Sequence, residues 1–108
     1  MRILLDECVP KDVRDSFRDY DCQTAPQAGF AGRKNGALLT LAEAAAFDVL
    51  VSVDRGLFHQ QNVSDRKIAV VIIHTRSNKL ADLMPHVPEC LLALRSIQPG
   101  QVVRVGIP

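Results

Sequence analysis

Long apolar runs are missing from this chain, and nothing approaches the roughly 20 residues needed to cross a bilayer. The opening, Met1-Arg2 then Ile3-Leu4-Leu5 and Asp6-Glu7, is too short and too soon acidic for a secretion signal. Cysteine is scarce: Cys8, Cys22 and Cys90 are widely spaced with no Cys-x-x-Cys pair. That argues for a reducing compartment, the cytoplasm, rather than for a disulfide framework or a zinc site. There is no excess of one charge either, since the formal net charge is +1. Overall charge therefore makes no case for a nucleic-acid partner, and only its distribution could. A glycine-rich phosphate loop, a Cys-His pair and a Ser-His-Asp set are all absent, as are internal repeats and low-complexity segments.

What is present reads as one folded unit. At 108 residues, 47% hydrophobic and 23% charged, the chain has the size and composition of a single globular domain spanning residues 1–108. Arg2 to Asp6 is a short apolar run, as expected of a buried parallel strand. Val9, Val13 and Phe17 then recur at i, i+4 and i+8 after Pro10, which predicts an amphipathic helix with Asp12, Asp15 and Asp19 on its solvated side. Cys22 to Ala25 is a weaker strand. Pro26, Gly29 and Gly32 punctuate a loop to Lys34. Asn35 stands as N-cap of a helix carrying Leu38, Leu39, Leu41, Ala42, Ala45 and Ala46. Asp48 to Val53 and Ile68 to Ile73 are β-branched runs, hence strands. Ser77 or Asn78 can cap a further helix, split or kinked by Pro85 and Pro88. A Pro99-Gly100 turn leads into a last strand, Gln101 to Val105.

Strands alternating with helices predict an α/β fold: a five-stranded, mainly parallel sheet covered on both faces. The expected strand order is 2-1-3-4-5, with ligands in the crevice at the carboxyl ends where the winding reverses. Asp6 and Glu7 end the first strand and Asp54 ends the third. If those strands are neighbours, their backbones lie about 4.8 Å apart, and Asp6 and Asp54 can share one divalent ion through oxygen ligands. Either acid alone could equally be a helix cap or a turn residue, Asp54 before Arg55-Gly56 especially. Lys11, Arg33, Lys34, Arg55, Arg76 and Lys79 follow strand ends or lie in the long loop, so a phosphate backbone would meet positive charge at the rim. Weaker candidates are Asn35, Glu43, His74 and Thr75. Cys8 is a poor nucleophile beside carboxylates, which raise a thiol's pKa.

Ile3-Leu4-Leu5-Asp6-Glu7 with Val9-Pro10, followed by Val49-Leu50-Val51-Ser52-Val53-Asp54-Arg55 with Phe58, resembles the short bacterial PIN-like family. The resemblance runs along essentially the whole chain. It implies a PIN-type fold and Mg²⁺- or Mn²⁺-dependent ribonuclease activity, with RNA as substrate and, in some relatives, a small antitoxin protein as partner. By position it makes Asp6 and Asp54 metal ligands, with Glu7 beside them as a further catalytic candidate; if the site is active, Arg55, Arg76, Lys34 and Asn35 are the residues expected to meet substrate. The sequence departs from the family at Asn35, where similar proteins often have an acid; Glu43 or Glu7 would have to substitute. A PIN-like binding module without catalysis is the alternative. A receiver-type phosphoacceptor domain is a further one, with Asp6-Glu7, Asp54 and Thr75 in place, but it lacks a lysine after the fifth strand and a closing helix.

Overall fold

The computed structural model describes residues 1–56 and 62–106. Phe58 lies outside them. The chain folds as an α/β domain around a five-stranded, all-parallel sheet in the order β2-β1-β3-β4-β5. The strands are β1 (Arg2–Leu5), β2 (Asp21–Thr24), β3 (Val49–Ser52), β4 (Ala69–Ile73) and β5 (Val102–Val105). Each lies within about a residue of its predicted run. The register places Leu5 beside Thr24 on one side and beside Val51 on the other.

Side chains alternate across a strand, so each central strand feeds two cores. Ile3, Leu5, Val49, Val51, Val71 and Ile73 point to one face and pack with Val13, Phe17, Leu83, Cys90 and Leu94. Leu4, Leu50, Val70 and Ile72 point to the other and pack with Leu38, Leu39, Ala42 and Phe47. This is why the central strands read as unbroken apolar runs: both faces are covered.

The cover on the first face differs from the expected regular helices. Val9, Val13 and Phe17 are all buried as the spacing predicts, but Lys11–Phe17 winds as a 3-10 helix. Its N-cap, Pro10, offers no side-chain acceptor, and the Val13 amide closes onto the Pro10 carbonyl at 3.0 Å, three residues back. The proline-interrupted segment splits as expected, into α2 (Leu80–Leu83), a 3-10 turn (Met84–His86) and α3 (Val87–Leu94). On the second face lies α1 (Asn35–Ala44); Asn35 is its first residue and Lys34 takes the capping position, which corrects the expected Asn35 cap.

The Pro99-Gly100 turn is where the backbone demands glycine. Gly100 has φ of +83°, and a Cβ there would sit 2.7 Å from the Ser64 carbonyl oxygen. Among the described residues no helix is long and apolar enough to cross a membrane.

Candidate functional site

Because β1 lies between β2 and β3, the winding of the sheet reverses between β1 and β3, and a crevice opens there at the carboxyl ends. Asp6 continues β1 by one residue: its amide donates to the Val51 carbonyl at 2.9 Å, keeping the sheet register past the end of the strand. Its carboxylate thus comes level with the end of β3. There Ser52, fully buried, donates its hydroxyl to Asp6 Oδ2 at 2.8 Å. Ser52 Oγ in turn accepts the Asp54 amide at 3.0 Å. One buried hydroxyl therefore holds the first acid and the backbone of the second.

The other acidic contacts are local. Asp6 Oδ1 accepts the Glu7 amide at 2.7 Å. Asp54 Oδ1 accepts the Gly56 amide at 2.9 Å, the turn contact that the Asp54-Arg55-Gly56 sequence allows, and among the described residues its second oxygen has no hydrogen-bond partner. Glu7 is exposed, and its Oε1 accepts the Gly32 amide at 3.3 Å. Asp6, Glu7, Cys8, Val53, Asp54 and Lys34 line one cleft of about 400 Å³. The two acids singled out in the sequence thus face a common space, with an ammonium from the start of α1 at its rim.

The donor set suits a hard cation such as Mg²⁺ or Mn²⁺, which prefers carboxylate oxygen and keeps several waters. Among the described residues, however, no three His, Cys, Asp or Glu side chains gather closely enough to form a ligand group. Glu7 shares the cleft without joining Asp6 and Asp54 as a third ligand. The Asn35 side chain lies outside what is described.

Several expected participants are placed elsewhere. Glu43 was a candidate to approach the crevice, but α1 starts at the carboxyl edge and carries Glu43 to the opposite end. There it pairs with Arg66 at 2.5 Å and accepts the Lys67 amide at 2.9 Å. It cannot stand in for an acid at Asn35. The Lys67 amide, helped by Arg66, holds its carboxyl below the usual value although burial opposes the shift. A carboxyl that titrates lower when folded stabilises above its unfolded pKa of about 4.3, and that stabilisation is lost as pH falls through the lower folded value. Glu43→Gln is expected to cost about 1 kcal/mol at pH 7 and nothing near pH 3, as urea unfolding at the two pH values will show.

Arg55 and Arg76 do not line the acidic cleft. Arg55 is exposed and reaches the Thr75 carbonyl at 3.5 Å. Arg76 is exposed as well, and of the predicted basic rim Lys34 borders this cleft and Lys11 a neighbouring one. Thr75 is committed to backbone: its hydroxyl donates toward the carbonyls of Ser77 at 2.9 Å and Asp82 at 3.3 Å. That removes the hydroxyl a receiver domain would direct at its phosphoacceptor. His74 is held below its usual pKa by burial first, then by the charges of Arg55 and Arg104, and it borders neither cleft. Cys8 does border the cleft, but burial above all, with the Asp6 charge acting the same way, pushes its thiol up; a hydrogen bond at Val53 opposes this. It stays a protonated wall residue.

Sequence reasoning missed Ser52. The signal was there, in a lone hydroxyl closing the run Val49-Leu50-Val51 on a strand buried on both faces. A buried hydroxyl needs partners, and the nearest strand end supplies an aspartate.

No family model, curated protein or solved structure matches the chain.

Proposed function

We propose that this protein is a PIN-like, metal-dependent ribonuclease that hydrolyses phosphodiester bonds in the cleft between the ends of β1 and β3. The observation that supports it best is that Asp6 and Asp54, distant in the chain, line one cleft at the reversal of the sheet's winding, with Lys34 beside them. Asp6 and Asp54 are the residues that would hold a Mg²⁺ or Mn²⁺ ion. Such an ion lowers the pKa of a bound water and offsets charge on the attacked phosphate.

The chain's own contribution is placement. Ser52 keeps the Asp6 carboxylate turned toward the cleft, and the Gly56 amide keeps Asp54 Oδ1 from rotating away. Lys34 meets a non-bridging phosphate oxygen as a point charge. Glu7, exposed at the mouth, is positioned to take a proton from an entering water.

A second reading, a PIN-like module that binds without cutting, is favoured by the lack of a third ligand among the described residues. Metal decides between them. Isothermal titration of the purified protein with Mn²⁺ should show one site that weakens at least about tenfold in Asp54→Asn, and single-stranded RNA should be cut with Mn²⁺ and spared in excess chelator. A protein that takes up no Mn²⁺ and leaves RNA whole would be the binding module.

A further inference from the structure

A second cleft, of about 470 Å³, opens on the other side of β1 and shares Asp6, Glu7 and Cys8 with the first. The chemistry proposed above leaves it unused. Val9, Pro10 and Pro26 give it apolar walls, while Lys11, Gln27 and Asn78 supply its polar groups. Its volume falls in the range of about 300–1,000 Å³ that encloses a small organic ligand, and the mix of flat apolar wall and few polar groups is that of a built pocket.

Gln27 carries the most information. Its Oε1 accepts the Thr24 backbone amide at 3.0 Å, and the Gln27 backbone N–H donates to Thr24 Oγ1 at 3.2 Å. A backbone N–H can only donate, so the oxygen end of the Gln27 side chain is fixed and the NH₂ end is its free face. Thr24 is buried at the end of β2, which anchors the pair to the sheet. The pocket thus presents a pre-oriented donor. Asn78 adds an amide able to donate and accept, and among the described residues its side chain has no hydrogen-bond partner. Lys11 adds a cation at the same mouth.

We propose that this second cleft holds one splayed-out nucleobase of single-stranded RNA, next to the phosphate seated at Asp6. The base lies between Pro10 and Pro26, its polar edge meets the NH₂ of Gln27 and the amide of Asn78, and Lys11 meets the flanking phosphate. Single-stranded RNA offers unstacked bases with free edges, whereas a duplex does not. The cleft's continuity with the acidic one puts base and scissile phosphate within a nucleotide of each other. The subsite rests on the ribonuclease reading for its purpose, but its occupancy can be measured without cleavage.

The test uses the wild-type protein in chelator, titrated with uridine monophosphate and, separately, with ribose 5-phosphate, while the side-chain amide signals are followed by NMR. The nucleotide is expected to shift the Gln27 and Asn78 NH₂ signals, and the sugar phosphate is expected to leave them in place. Binding of a fluorescent single-stranded hexauridylate should weaken about three- to tenfold in Gln27→Ala and in Asn78→Ala, the loss of one hydrogen bond each. Gln98→Ala, at the opposite edge of the sheet, should bind like wild type. Asn78 is exposed and its side chain makes no hydrogen bond among the described residues, so its variant reads the subsite even if Gln27→Ala perturbs the loop. Equal shifts by nucleotide and sugar phosphate, or unchanged binding in both variants, would overturn the base subsite and leave the nuclease intact. Weakened binding in a protein that never cuts RNA would retain the subsite and remove the nuclease.

Discussion

Asp6→Asn is expected to reduce Mn²⁺-dependent RNA cleavage by about 100-fold or more while leaving the fold intact. The charge is what disappears. A carboxylate that holds a catalytic ion is worth several kcal/mol in the transition state, and about 1.4 kcal/mol corresponds to each factor of ten in rate. Shape and hydrogen bonding survive. The asparagine carbonyl can accept the Glu7 amide, and its NH₂ can donate to Ser52 Oγ once that hydroxyl has turned. The stability change should therefore stay within about 1 kcal/mol. Single-turnover cleavage and thermal melting on the same preparation separate the two effects. Cleavage equal to wild type would remove the active site from this cleft.

Ser52→Ala is the second large effect, and it should appear in both stability and activity. Ser52 is fully buried; its hydroxyl donates to Asp6 Oδ2 at 2.8 Å, accepts the Asp54 amide at 3.0 Å and lies 3.7 Å from Cys8 Sγ. Alanine leaves the Asp54 amide without its acceptor in a poorly solvated place, at a cost of about 1–3 kcal/mol. The two acids also lose their common tether, and losing such a supporting contact typically lowers metal affinity or activity about 10- to 100-fold. Mn²⁺ affinity is the discriminating measurement. If Ser52 served only to fill space, Ser52→Ala would melt earlier yet bind Mn²⁺ like wild type. Ser52→Thr, which keeps the hydroxyl, should recover most of the affinity.

The sheet was legible because its central strands are buried on both faces and so appear as apolar runs, and because helices must separate parallel strands. From the alternation of those runs came the strand order, and from the order came the meeting of Asp6 with the end of β3. What sequence reasoning could not weigh was direction along a helix. Glu43 sits on α1 near the same apolar stripe as Leu39 and Ala42, yet a helix crossing antiparallel to the strands carries its last turn to the wrong edge. Basic loop residues were overcounted for a related reason: following a strand end in the chain does not aim a long side chain at the crevice, and Arg55 turns to the Thr75 carbonyl instead. The 3-10 winding of Lys11–Phe17 escaped too: i, i+4 spacing is the signature of an α-helix, and a 3-10 helix sets those positions about a third of a turn apart, yet Val13 and Phe17 are both buried.

β1 is an inner strand of the sheet, flanked by β2 and β3. One neighbour in space, β2, follows soon after it in the chain, but the partner that completes the cleft is far downstream: Asp6 and Ser52 are 46 residues apart. A nascent chain emerging from the ribosome therefore carries its first acid long before there is anywhere for it to point. Joining β3 to β1 both closes that large loop and creates the crevice. The proposed site and the native topology therefore arrive together, and a chain halted before Val49 has neither.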